Sequence, residues 1–285
     1  MDKNNRNIFK KGSRTYFYSS IFFPKKVKKE VFILYAFVRT ADDYVDQIPQ
    51  DEKAFRLFCD NFNQAWQGNL SKNYIIDDFV QLAKEKNFKK EWIDNFLTSM
   101  ASDLSKKHYQ TISETLVYIH GSAEVIGLMM AKIMNLSEKS YQGAKMLGRA
   151  MQQINFIRDI KEDIYLGRQY LPVDEMKSLG LEFLNKNLAY RHSFEYISFI
   201  KKQLKYYNEW QREAESYFHF IPVRYRVPIQ TASAMYKYTA KKIAKNPLLV
   251  FDLKVKPSKI RIILTGLKQV ILILCSKLFQ NIKRK

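Results

Sequence analysis

Glycine and proline are scarce in this chain, 9 and 7 among 285 residues. Turns must therefore be few and the elements between them long, which excludes a fold of many short, tightly turned segments. Cysteine is nearly missing too. Cys59 and Cys275 are the only two, too far apart for a spaced framework, and they read as reduced thiols of a cytosolic protein. No convincing run alternates apolar and polar residues between Asn-Gly or Asp-Gly turns, so strand signals are nearly absent. The N-terminal stretch through Arg14 is polar and basic without an apolar core, and no secretory signal is expected there. Acidic residues are the minority charge, 28 against 48 lysines and arginines, for a net charge of +20. That excess suits nucleic acid, an anionic membrane surface or anionic substrates, and a general enrichment in lysine would also produce it.

Apolar and aromatic residues are abundant. They make up 46% and 14% of the chain, with 20 Phe and 18 Tyr, far too much apolar material for a disordered protein. Their spacing is helical almost throughout. Pro24 opens a helix that runs to just before Pro49, and its VFILYAFV run is read as buried helix because helical spacing continues beyond it. Further helices are expected over 51–67, 74–86, 90–104, 113–134, 137–165, 192–218 and 222–245. The stretch 167–180, with Pro172, reads as a loop with a short helical turn. From Ile260 to Phe279 the chain is at its most hydrophobic, but Arg261, Lys268 and Lys277 interrupt the run. A membrane-spanning helix is not expected there; an interfacial or core-packing helix with a basic rim, at about residues 257–284, is. With no linker, repeat or low-complexity segment, residues 1–285 are expected to form a single all-α domain. The sequence fixes no oligomeric state.

Two acidic clusters stand out against the basic background: Asp42, Asp43 and Asp46, then Asp159, Glu162 and Asp163. Each contains two aspartates four residues apart, which on a helix share one face about 5–6 Å from each other. Like charges at that spacing destabilise an isolated helix, and aspartate is a poor helix-interior residue. One such pair is common on a solvated face. Two of them, each beside apolar residues and each with a nearby arginine (Arg39, Arg158), point to a hard cation and an anionic ligand. Mg²⁺ takes oxygen ligands and bridges carboxylates to phosphates, while arginine presents a fork to phosphate oxygens. Gln152, Asn155 and Asp159 also recur at helical spacing on an otherwise apolar stripe, as a cavity wall would require. Carboxylate pairs facing each other across a bundle could hold Mg²⁺ around a diphosphate and stabilise departing pyrophosphate. The carbocation left behind needs an apolar, aromatic pocket, for which Tyr16, Tyr35, Phe37, Tyr118 and Tyr236 are candidates.

In order along the chain, Ser13-Arg14-Thr15-Tyr16, the segment from Tyr35 through Arg39 to Asp46, and Tyr118 through Gly121 and Ala123 to Gly127 are followed by a more specific block. That block runs from Gly148 through Gln152, Asn155, Arg158 and Asp159 to Asp163, then Gly167, Arg168, Tyr170 and Pro172. Met235-Tyr236-Lys237 and the 256–259 region complete the set, which resembles the phytoene and squalene synthases, the head-to-head branch of the trans-prenyl diphosphate synthases. The resemblance implies an all-α isoprenoid-synthase fold around a central cavity, with a kinked helix over the Tyr118–Gly127 segment lining it. It implies Asp42, Asp46, Asn155, Asp159 and Asp163 as ligands of Mg²⁺, with Mn²⁺ as the alternative ion, and the four aspartates as catalytic. It assigns substrate contacts to Ser13, Arg14, Thr15, Tyr16, Tyr35, Arg39, Asp43, Gly127, Gln152, Asn155, Arg158, Tyr170 and Tyr236. The implied reaction joins two prenyl diphosphates through a cyclopropylcarbinyl diphosphate. The tract around Asp46 is most similar to phytoene-forming members, which implies two geranylgeranyl diphosphates as substrates and no NADPH. Farnesyl diphosphate, giving dehydrosqualene or squalene, is the alternative.

Glu124 departs from the family pattern, which has a small residue there; it is expected to point away from the cavity or to pair with a basic neighbour. A terpene cyclase or head-to-tail synthase would lack the grouping of Gln152, Asn155, Arg158 and Asp159. A basic nucleic-acid-binding protein is disfavoured because the acidic pairs would repel phosphate without metal, so nucleic acid is not expected as a partner. A catalytically dead lipid-binding scaffold is disfavoured because every expected ligand is present. Greasy substrates, a basic surface and an apolar C-terminus together imply a cytoplasmic enzyme sitting peripherally at the membrane surface.

Overall fold

The computed structural model describes the backbone of residues 3–282 and the side chains of residues 5–273. It is helical, with no strand among the described residues and one isolated parallel bridge between His108 and Gln169. Two short N-terminal helices, α1 (Lys3–Gly12) and α2 (Arg14–Ser19), were not legible in the sequence. Only a few of their side chains face inward, so tertiary contact holds them: Phe9 stacks on Tyr35 with ring centroids 4.1 Å apart. After Pro24 the long α3 (Lys25–Asp46) follows, and the VFILYAFV run lies inside it.

Polar caps mark the next helix starts. Asp51 accepts from Ala54 N–H at 2.9 Å to open α4 (Glu52–Trp66), and Asn73 accepts from Ile75 N–H at 3.1 Å to open α5 (Tyr74–Glu85). α6 (Lys90–Ser102) ends at Asp103. Between α3, α4, α5 and α6 lies an aromatic cluster in which Phe37 stacks on Phe79, centroids 3.7 Å apart, beside Phe58, Phe62 and Phe96.

The helix expected over 113–134 is interrupted. α7 (Ile112–Ile119) passes through a π-turn (His120–Glu124) into α8 (Val125–Ile133). Such single-turn bulges concentrate at functional sites. By length and hydropathy this segment could cross a membrane, but 56% of its apolar window is buried inside the molecule. Here glycine is a packing device: a Cβ on Gly127 would stand 2.3 Å from the Ala144 carbonyl oxygen, and one on Gly148 would stand 2.4 Å from that of Ala123. The π-turn and α8 therefore lie in backbone contact with α9 (Tyr141–Arg158).

The sequence placed one helix over 137–165, but the chain breaks at Asp159 (φ −99°, ψ 11°) and resumes as α10 (Ile160–Tyr165). The break is shallow. Asp159 N–H still bonds the Asn155 carbonyl at 2.8 Å and Asp163 N–H the Asp159 carbonyl at 2.9 Å, so the two aspartates remain one turn apart. The expected loop contains the short α11 (Val173–Lys177). α12 (Lys186–Arg191), α13 (Ser193–Ser216), α14 (Val223–Lys245, opened at Pro222), α15 (Leu249–Asp252) and α16 (Lys259–Ile282) complete the order. α16 starts near the expected position; residues 283 and 284 lie outside the described residues, as do the side chains of Cys275 and Lys277. α9 is surrounded by α8, α13, α14 and the π-turn, while α3 packs on α1, α4, α5 and α6. Between α3 and α9 the bundle leaves a cavity.

Candidate active site

Helical spacing delivers the cavity wall. On α3, Leu34, Tyr35, Val38, Arg39 and Asp42 follow one stripe; on α9, Gly148, Met151, Gln152 and Asn155 follow another. The two stripes enclose about 350 Å³ together with α2, α6, the π-turn, α8 and α14. Apart from a polar strip near Arg39, Asp42, Gln152 and Asn155, the lining is dominated by apolar and aromatic side chains, among them Phe9, Phe96, Met100, Ile126, Met130 and Ile229. Such a lining suits a long hydrocarbon with one polar end.

Of the acidic residues only Asp42 lines that polar end; Asp46, Asp159 and Asp163, like Arg158 and Tyr236, lie off the wall behind it. Asp42 accepts from Arg39 Nη1 at 2.7 Å, and Asp43 pairs with the same guanidinium. Asp46 accepts from Arg168 Nη1 at 2.8 Å, which ties the first cluster to the segment following the second. Asp159 takes a two-pronged bond from Arg158 (Nε 2.8 Å, Nη2 2.5 Å) and a further contact from Lys254 at 3.2 Å. Burial alone would lift the Asp159 carboxyl, but Arg158 and Lys254 hold it below the usual carboxylate range. Asp42 behaves oppositely, pushed up to about 8 by burial and then by the Asp46 charge, with Arg39 only partly opposing. Asp163 is also pushed well up, by burial, then Asp159, then Asp46. The Asp46 charge of the first cluster thus acts on Asp163 of the second.

More carboxylates converge here than the surrounding arginines neutralise, and this is the donor chemistry a divalent cation relieves. The Oδ1 of Asn155 supports the fit, since it is buried with no hydrogen-bond partner while Nδ2 donates to Gln152 at 3.4 Å. Among the described residues no three acidic, histidine or cysteine side chains are already drawn into one cage.

Of the residues singled out from the sequence, Tyr16, Tyr35, Arg39, Asp42, Gly127, Gln152 and Asn155 line the cavity, and Tyr118 joins them. Tyr16 donates its hydroxyl to Met151 Sδ at 3.3 Å and lies 5.8 Å, ring to ring, from Tyr236. The Tyr236 hydroxyl, lifted by burial and opposed by Arg158, has Tyr16 and Asn155 as neighbours. Several other residues singled out from the sequence lie off the wall in this structure. Ser13 caps α2 by accepting from Tyr16 N–H at 3.3 Å, Arg14 is exposed, and neither they nor Thr15 reach the cavity wall. Asp43 is 56% exposed and turned away from the lining. Phe37 belongs to the aromatic core rather than the cavity. Tyr170 lies behind the wall, donating to Asp103 at 2.8 Å. Gly127 does border the cavity, but its lack of a side chain serves contact with Ala144. Glu124 is buried and off the wall, accepting from Arg149 at 2.5 Å with His120 Nδ1 at 3.0 Å, which is the expected basic pairing.

Sequence reasoning missed Lys254 and Asp103. Lys254 reaches Asp159 and Glu162 from the segment before α16, with no periodicity to announce it. Asp103 is a lone acid at a helix end. Arg168 belongs to the second sequence block, and its spacing gives it no role there.

An all-α bundle whose central cavity is apolar along its length and acidic at one end defines an isoprenoid-synthase type of site. Residues 9–261 match the Squalene/phytoene synthase family, and the chain belongs to it. It is a prenyltransferase of the head-to-head kind. It is similar to the 15-cis-phytoene synthase of Pantoea ananas, 26% identical over 282 residues covering 91% of this chain and 89% of that one. The phytoene synthase of Rhodobacter capsulatus is 30% identical over 181 residues, 62% of this chain and 53% of its own. In structure the chain resembles a dehydrosqualene synthase solved with ligand (TM-score 0.84, 21% identity, 95% of this chain and 96% of that one). The squalene synthase HpnC of Alicyclobacillus acidocaldarius follows at 0.77 and 19% identity, over 86% and 93% of the two chains. At those identities the structural likeness speaks for the fold alone.

Proposed function

We propose that this protein condenses two geranylgeranyl diphosphates head to head, through a cyclopropylcarbinyl diphosphate, to phytoene. The observation behind the proposal is the shared cavity, with Arg39 and Asp42 of α3 facing Gln152 and Asn155 of α9 at the end of an apolar chamber. Asp42, Asp46, Asn155, Asp159 and Asp163 would hold Mg²⁺, or Mn²⁺ in its place. When bound, the ion supplies Lewis-acid stabilisation of charge on the departing pyrophosphate. Arg39 and Arg158 present guanidinium forks suited to diphosphate oxygens and stabilise the same developing charge. The apolar walls keep water from the allylic cation, and the faces of Tyr16, Tyr35 and Tyr118 stabilise positive charge beside them. The cyclopropylcarbinyl intermediate keeps its diphosphate at the polar end, ionises there a second time, rearranges, and loses a proton to give the hydrocarbon.

The test is incubation with geranylgeranyl or farnesyl diphosphate and Mg²⁺, with and without NADPH, followed by mass analysis of the extracted hydrocarbon. A C40 product formed without NADPH is expected. A C30 product would move the assignment to dehydrosqualene, or to squalene if NADPH is required, and no hydrocarbon from either substrate would overturn it. The same reading puts the enzyme peripherally at an anionic membrane surface, where its substrates and product partition.

A further inference from the structure

Behind the acidic end of the cavity lies a buried polar group that the reaction as proposed does not use. Asp103, the residue closing α6, is 1% exposed and off the cavity wall. Its Oδ2 accepts from the Tyr118 hydroxyl at 2.7 Å and its Oδ1 from the Tyr170 hydroxyl at 2.8 Å. The Arg168 guanidinium, 2% exposed, stands between this carboxylate and another: Nη1 is 3.8 Å from Asp103 Oδ2 and 2.8 Å from Asp46 Oδ1. Nη1 also donates to the Tyr170 hydroxyl at 3.2 Å, and Nη2 donates to the Val45 carbonyl just before Asp46. Gln50 closes the frame by donating to the Val45 carbonyl at 2.7 Å and the Asp103 carbonyl at 2.9 Å.

A cation this deeply buried interacts strongly with whatever carboxylates it can reach. Arg168 already bonds one oxygen of Asp46, and were Asp46 its only acidic partner the whole guanidinium charge would bear on that carboxylate and compete with any other cation there. Asp103 supplies a second, permanently buried negative charge on the far side of the guanidinium, and Tyr170 bridges the two by donating to one and accepting from the other. We infer that Asp103 is a positioning residue that acts through Arg168, sharing the guanidinium's charge so that Arg168 bonds Asp46 through Oδ1 alone and leaves Oδ2 for a divalent cation. This inference rests on the proposed metal-binding role of Asp46. Outer partners of this kind orient ligating carboxylates and tune a metal site without touching it.

The test measures Mn²⁺ binding, by titration with farnesyl thiodiphosphate as the inert diphosphate, in the full-length wild type, Asp103→Asn, Arg168→Gln and the double variant. Asp103→Asn is expected to weaken Mn²⁺ binding by about tenfold or more. It should raise the Mg²⁺ half-saturation in turnover while kcat at saturating Mg²⁺ stays close to wild type. In the Arg168→Gln background the same substitution should change little, because the residue it acts through is gone. Unchanged Mn²⁺ affinity in folded Asp103→Asn, or an equal loss in both backgrounds, overturns the inference. Should Asp103→Asn fail to fold, Tyr170→Phe removes the bridging hydroxyl alone; a smaller loss in the same direction is expected, and none overturns it. A metal-free readout separates this inference from the proposed function: melting of Asp46→Asn, Asp103→Asn and their double variant under chelation should be non-additive. A wild type that binds no Mn²⁺ sinks the proposed function, and additive melting in that cycle then sinks the linkage as well.

Discussion

Asp42 lines the cavity and Asp159 stands off its wall, and the two hold their protons differently. Asp159, gripped by Arg158 and Lys254, stays below the usual carboxylate range, whereas burial and Asp46 lift Asp42 to about 8. The unfolded chain releases the Asp42 proton near pH ~4. Between that point and its folded value of about 8, the metal-free folded protein binds a proton that the unfolded chain does not. Stability therefore falls as pH rises through this window. Under chelation, the melting temperature of wild type minus that of Asp42→Asn should decline as pH rises, since the variant cancels the effects of net charge. Mg²⁺ with an inert diphosphate should raise melting more at about pH 8 than at about pH 6, because ligands bind metal deprotonated. A difference flat with pH would contradict the buried-carboxylate account. In turnover, Asp42→Asn and Asp159→Asn should each lose about 10²-fold or more in rate, the scale of removing one preorganised electrostatic contact. At this scale the sequence was informative where acids repeat at i and i+4. It was silent where a single acid such as Asp103 takes its importance from partners 15 and 67 residues away.

Elements were legible in proportion to how regular they are. α3 and α9 announced themselves through apolar spacing, and the polar positions interrupting that spacing proved to be the cavity's polar strip. Irregular backbone left no such trace in the spacing, although the family resemblance implied a kinked helix over 118–127, where the π-turn falls. The π-turn occupies five residues of ordinary helical character, and the break at Asp159 keeps its hydrogen-bond ladder. The N-terminal motif carries two readings at once: residue types suited to diphosphate are also suited to a helix cap, and Ser13 serves as one here. The π-turn carries its own prediction. Glu124, 1% exposed, ties it to α9 through Arg149, and His120 approaches the same carboxylate. Glu124→Ala would leave Arg149 and Lys145 without that partner, and both retain some solvent access (22% and 32%). The expected loss is about 2 kcal/mol in denaturant unfolding, below the full penalty of a stranded buried charge. Because the carboxylate faces away from the cavity, the Mg²⁺ half-saturation of the variant should match wild type. A large change there would mean that the turn communicates with the acidic end.

Across the whole molecule, the surplus of basic charge and the apolar C-terminus meet on α16. One of its faces, with Ile262 and Ile273, is buried, and Gly266 on that side rests against Phe22. Ile260, Leu264, Leu267 and Ile271 follow at intervals of four, three and four, which puts them on the opposite face, and they are 70%, 60%, 49% and 60% exposed. Lys259, Arg261 and Lys268 flank this row, so the helix presents an apolar stripe beside cations, the pattern that lies in the interface of an anionic bilayer. The buried face packs on α2 and α14, and both of those helices also line the cavity. Docking through the open face would therefore put the lipid surface two helix layers from the chamber that takes lipid substrates. Cutting the chain after Lys259 would remove the packing face along with the open one, so a surface variant is the sharper probe. Leu264→Ser combined with Leu267→Ser should leave melting within a few degrees of wild type but lower co-sedimentation with anionic vesicles by about tenfold or more, since each leucine returned to water forfeits about 1.5–3 kcal/mol. Raised salt should weaken wild-type binding further through the flanking cations. Equal sedimentation of the two proteins would remove the membrane from the account. A lipid-free dimer lost in the same variant would show that this row pairs with a second copy of itself.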